Sequence, residues 1–126
     1  MATMIMGHSW EEAHQLCPHI HNAFEITGDY VRSVNRITRP DWVLDYEIGS
    51  YGFVRVGSRR APWRPRLPRT AHLYPPRTPY WEDTRTETGQ RHSTWISFDG
   101  GAAAGLERFV EGDARYARFL DPTGEL

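Results

Sequence analysis

Lysine is absent from this chain of 126 residues, and all 15 basic residues are arginine. That excludes Schiff-base chemistry and any general base built on a lysine amine. Cysteine is nearly absent too. Cys17 stands alone, which excludes an intrachain disulfide framework and accords with a reducing compartment. No apolar run approaches the roughly 20 residues that a membrane-spanning helix needs. The opening stretch MATMIMGHSWEEAHQL has no basic segment followed by an apolar one, so no signal peptide is expected. Charge of one sign does not dominate either. The 15 arginines face 16 acidic residues, and the net charge of −1 creates no global attraction for nucleic acid or an anionic membrane. Gly-x-Ser-x-Gly, P-loop and dinucleotide fingerprints are missing. The expectation is a soluble, cytoplasmic protein of one domain, long enough to bury a core.

Three zones are present. Residues 1–28 read as an arm or short helix: Ser9 and Glu12 have capping-box spacing, Trp10, Ala13 and Leu16 or Cys17 recur at helical intervals, and Pro18 ends the pattern. From Asp29 the period changes to two. In WVLDYEI (42–48), Trp42, Leu44, Tyr46 and Ile48 point one way, and Val43, Asp45 and Glu47 point the other. That predicts a half-buried strand with its carboxylates in solvent. Further strands are expected at 30–37, 53–56, 71–74, 80–83 and 92–98. The proline-rich piece APWRPRLPRT (61–70) must be loop or edge, because proline cannot donate to a ladder. Many short strands broken by Gly and Pro argue for a sandwich or barrel over residues 29–100. After Gly100-Gly101 the pattern predicts helices across 101–126. Ala104, Leu106, Phe109 and Val110 form one apolar face. Asp113 caps a second helix that carries Tyr116, Phe119 and Leu120.

The stretch HLYPPRTPYWED (72–83) is too broken for a helix and too aromatic for an ordinary loop. Its Leu-Tyr-Pro-Pro (73–76) follows TRPDWVLDYEIGSYGFVRVGSRR. About twenty residues after it comes Trp-Ile-Ser-Phe (95–98). This order, from about Asp29 to about Val110, resembles the N-terminal effector-binding and dimerisation domain of AraC-family transcription regulators. The resemblance implies a mostly β fold, a cupin-type, jelly-roll-like β-barrel with a C-terminal helical segment. It also implies a Pro-Pro turn linking two barrel strands, with the following segment lining the barrel mouth. Arg77 and Arg69 stand where the family usually has glycine, so either the turns differ in type or these two residues carry strain.

What the resemblance implies for function is a small-molecule effector, a sugar or another polar metabolite, held in the barrel. Arg39 corresponds to an arginine that contacts the family's sugar; a guanidinium fork can hold a carboxylate or paired hydroxyls. Trp95 corresponds to a tryptophan on which the sugar stacks. On the strand after the Pro-Pro turn, Tyr80 and Glu82 are one inward option and Trp81 the other, since only alternate residues share a face. The ligand-binding set is therefore Arg39, Tyr80, Glu82 and Trp95. Ser93 falls where the family has a histidine, which weighs against arabinose as the ligand. The implied partners are the effector and a second copy, paired through residues 102–120. DNA would be met only through a domain outside this chain. No cofactor and no enzymatic activity are expected. The alternative is a free-standing cupin enzyme, a metal-dependent isomerase or oxygenase. Its His-x-His pair would be His19 and His21, with His72 and His92 as further candidates. That pair precedes the first clear strand, so the catalytic spacing is wrong and no metal site is assigned.

Overall fold

A computed structural model describes residues 19–48, 52–110 and 112–123. The short helix expected before Pro18, and the arm residues with Trp10, lie outside the described residues. No helix among the described residues is long and apolar enough to cross a membrane.

The fold is mostly β. Its strands are β1 (His19–Asp29), β2 (Val34–Ile37), β3 (Trp42–Glu47), β4 (Phe53–Val56), β5 (Arg64–Pro65), β6 (Thr70–Tyr74), β7 (Tyr80–Asp83), β8 (Gln90–Asp99) and β9 (Ala117–Leu120). They form two antiparallel sheets. One has the order β1-β8-β3-β6-β9 and the other β2-β7-β4-β5. The chain crosses repeatedly from one sheet to the other, so most consecutive strands face each other instead of pairing.

The expected barrel does not close. Among the described residues no strand of one sheet pairs with a strand of the other. The second sheet ends in a two-residue strand containing Pro65, which has no N–H to extend a ladder. The proline-rich piece is thus loop and edge, as its composition requires.

Two further expectations are corrected. The zone read as an arm ends in a long strand: β1 pairs with β8 from His19↔Asp99 to Asp29↔Gln90, with one irregularity between Ile20 and Asn22. The helices expected over 101–126 are replaced by short 3-10 turns at Leu106–Phe109 and Gly112–Ala114, followed by the edge strand β9 on β6. Close packing explains the first replacement. A Cβ on Gly101 would lie 2.5 Å from the Trp42 indole nitrogen, so the chain lies against the sheet there, and Gly105 breaks the run with left-handed backbone at φ 73°.

Arg69 and Arg77 both adopt left-handed backbone, at φ 55° and 56°. The turns therefore keep the form that favours glycine, and arginine accepts the strain.

Two cores result. Between the sheets lie Val43, Val54, Val56, Tyr74, Tyr80 and Tyr116. On the far side of the five-stranded sheet, Trp42, Leu73, Phe98 and Ala117 are buried under Leu106, Val110 and Phe119.

Candidate functional site

The β3 strand places its side chains against expectation. Asp45 and Glu47 are buried, at 5% and 1% exposure, instead of solvated. They face the space between the sheets together with Val43, because the Trp42–Leu44–Tyr46 face is covered by the chain after Gly100. Register carries the same face across the sheet. Asp45 lies beside Trp95 on one neighbour and His72 on the other, and Glu47 lies beside Ser93 and Thr70. From the opposing sheet, Tyr80 and Glu82 project inward beside Val56 and Val54. Trp81 alternates outward, where the Arg36 guanidinium sits 5.7 Å above its ring.

Arg66 occupies the centre of the carboxylates. Its Nη2 donates to Asp45 Oδ2 at 2.8 Å and also meets Glu47, and its Nη1 lies 3.3 Å from Glu82 Oε1. The neighbouring Pro65, Leu67, Pro68 and Arg69 are exposed, so one loop drives a single buried arginine between the sheets. A backbone bond from the Arg66 N–H to the Gly52 carbonyl, 2.8 Å, holds it in place. Burial opposes the guanidinium charge, but Glu82 and Asp45 outweigh that and push its pKa above the ordinary arginine value.

Aromatic rings adjoin this cluster. Tyr74 and Tyr80, one from each sheet, stack at 3.9 Å with planes 5° apart. Tyr116 stacks on Tyr74, and His72 stacks on both Tyr74 and Tyr116. Burial raises the pKa of the Tyr74 and Tyr80 hydroxyls. His72 is wholly buried, and neither ring nitrogen has a hydrogen-bond partner among the described residues. Burial, reinforced by Arg66 and Arg118 against the pull of Asp45, lowers its pKa to about 4. The ring is therefore neutral at physiological pH.

The four residues singled out from sequence fall in this region, though not as one tight cluster. Tyr80 is buried in the stack and Glu82 belongs to the Arg66 cluster. Trp95 packs against the inter-sheet core and stacks on Phe24 of β1 at 4.6 Å. Arg39 is exposed at the rim, its guanidinium 5.2 Å above the Trp95 ring. Sequence reasoning missed Asp45, Glu47, Arg66 and Tyr74. The available signal was weak: Asp45 and Glu47 are acids at alternate positions of a strand, and Arg66 is one of three arginines in the proline-rich piece 61–70.

The histidines of the enzyme alternative do not converge. His21 Nε2 lies 2.9 Å from Asp99 Oδ2 on the exposed outer strand, while His92 meets Glu25 at 2.8 Å and His72 is between the sheets. Among the described residues no group of three or more His, Cys, Asp or Glu is disposed to hold a metal ion.

Searches against protein-family models and against curated proteins return no match to this chain.

Proposed function

We propose that this chain is the small-molecule-sensing and dimerisation part of an AraC-type transcription regulator, with the effector bound between the two sheets. The observation that carries the reading is the inter-sheet space itself. A purely structural sandwich fills that space with apolar side chains. Here it holds Arg66 with its carboxylates, a neutral histidine and a run of stacked aromatics. A few placed polar groups on an apolar and aromatic wall are the composition of a ligand site. The strand order also supports a cupin-like frame: 1-8-3-6 opposite 2-7-4-5 is the wrapping of a double-sheet jelly roll.

Arg39 and Trp95 form the rim, Tyr80 the stacking wall and Glu82 a polar contact within. Output follows from differential packing. A ligand that binds one arrangement of the rim and the strands around it better than another shifts the population, and a DNA-binding domain elsewhere in the regulator reads the shift. The pairing surface is the far side of the five-stranded sheet. Leu44, Leu73, Phe98, Leu106 and Phe119 line an apolar groove of about 360 Å³ there, and Leu120 beside it is 71% exposed.

The test is a thermal-shift screen of sugars, amines and carboxylates, followed by Arg39→Ala and Trp95→Ala. Each variant is expected to stay folded and to lose the ligand-induced rise in Tm. Unchanged binding in both sinks the site.

A further inference from the structure

We infer that Asp45, Glu47 and Glu82 form a binding site for a cationic effector, a guanidinium or primary ammonium compound, and that Arg66 occupies this site as an internal stand-in until the effector displaces it. This rests on the sensing reading above and names its ligand class.

Three carboxylates converge on one guanidinium, so the cluster carries more negative charge than Arg66 can balance. Buried carboxylates in excess of their cations are costly, and a second positive charge or a better-placed one relieves that cost. Glu87 adds to the excess. It is 7% exposed and close enough to feel the Arg66 charge.

A second, independent observation points to a ligand. His72 sits on the same face directly beside Asp45, wholly buried, with both ring nitrogens unpartnered among the described residues. A neutral imidazole offers one donor and one acceptor. Native proteins rarely leave both idle in a purely structural position. An ammonium or guanidinium N–H placed between Asp45 and His72 would use the acceptor.

The way Arg66 is delivered fits a removable plug. Its loop is exposed on both sides of it. The adjoining β5 pairs with β4 over only Phe53↔Pro65 and Val54↔Arg64, and Arg69 three residues on is in left-handed backbone. Short edge strands and exposed loops are among the first elements to open. Withdrawal would expose three carboxylates already arranged around a planar, charged donor, together with the face of the Tyr74–Tyr80 stack.

The experiment uses the whole chain. Binding is followed by thermal shift and calorimetry with agmatine, methylguanidine and putrescine. Arabinose, glucose and succinate are run alongside. At about a hundredfold excess over Kd, a cation is expected to raise Tm by several degrees. Glu82→Gln should weaken that cation by about tenfold or more. Arg66→Met should bind it about tenfold more tightly, because the internal competitor is gone; a merely structural arginine would leave affinity unchanged. Binding of a sugar or succinate with all three cations silent overturns the charge assignment and leaves the sensing reading standing. Silence from every probe overturns both. If Arg66→Met does not fold, Glu82→Gln decides alone: undiminished cation binding there overturns the proposal.

Discussion

On β3, Trp42, Leu44 and Tyr46 point to one side of the sheet and Val43, Asp45 and Glu47 to the other, yet both sides are covered. The first side is covered in part by apolar contact, with a groove left open beside Leu44. Leu73, Phe98 and Ala117 lie beside it, and the chain after Gly101 closes over it with Leu106 and Val110. The second side is sealed by the opposing sheet and holds ion pairs as well as valines and tyrosines. An apolar cover depends on area and shape and responds little to pH. A buried ionic cluster depends on every partner staying in place, because each charge left alone bears its full desolvation cost. One strand thus carries a structural face and a responsive face.

The sharpest way to break this contrast is to remove the central cation. Arg66→Met leaves Asp45, Glu47 and Glu82 facing one another, and the expected loss of stability is about 3–5 kcal/mol in urea denaturation. The same substitution made together with Asp45→Asn, Glu47→Gln and Glu82→Gln should cost about 1 kcal/mol or less, since no buried charge is then uncompensated. Equal losses in the two backgrounds would show that Arg66 acts by packing alone, and the distinction between the faces would fail.

Acid should separate the faces next. The folded pKa of His72, about 4, lies below the ordinary value of about 6.5. Between those two values the unfolded chain binds the extra proton, so stability is complete above the upper one and falls as pH drops toward the lower. Its full contribution is about 3 kcal/mol. His72→Phe keeps the stacking on Tyr74 and Tyr116 and removes the titration. Its stability curve should be flatter than the native one between pH 6.5 and 4, measured by urea midpoints at each pH. Parallel curves would mean that His72 titrates normally in the fold.

Much of the ladder was legible in the sequence. Strands 53–56 and 80–83 have the bounds their alternation suggests, and 42–48 ends one residue early. Proline confined 61–70 to loop and edge, and Arg69 and Arg77 mark the two turns where glycine would be at ease. Face assignment was not legible. Period-two alternation says that two sides differ, not which one faces the opposing sheet, and here the more apolar side faces outward because residues beyond Gly100 cover it. The β1 strand was hidden for another reason. Nearly all of it is exposed, so it has no burial pattern to read and is held by its ladder to β8. The tail misled because Tyr116, Phe119 and Leu120 fit helical spacing, while Phe119 packs on the sheet as part of an edge strand. At the site, alternation left either Tyr80 with Glu82 or Trp81 as the inward choice, and the register with β4 turns Tyr80 and Glu82 inward. Arg66 was not legible, because nothing local marks which arginine of a proline-rich loop turns inward.

The smallest effect belongs to the outer face, and it tests whether that face needs its polar contact. Tyr46 donates its hydroxyl to Asp121 Oδ2 at 2.7 Å, and burial followed by this bond raises the Tyr46 pKa. The contact ties β3 to the residue that follows β9, whose register on β6 runs from Leu73↔Ala117 to Thr70↔Leu120. Tyr46→Phe removes the hydroxyl and keeps the ring. The loss should be about 1.5 kcal/mol, the low end for one hydrogen bond to a charged acceptor. It should leave the acid limb set by His72 unchanged, because the hydroxyl faces away from the inter-sheet cluster. A larger loss, or a changed acid limb, would mean that β9 transmits strain through His72↔Arg118 to the inner face. The two sides of the sheet would then be coupled through β6, and a ligand between the sheets could alter the outer groove by the same route.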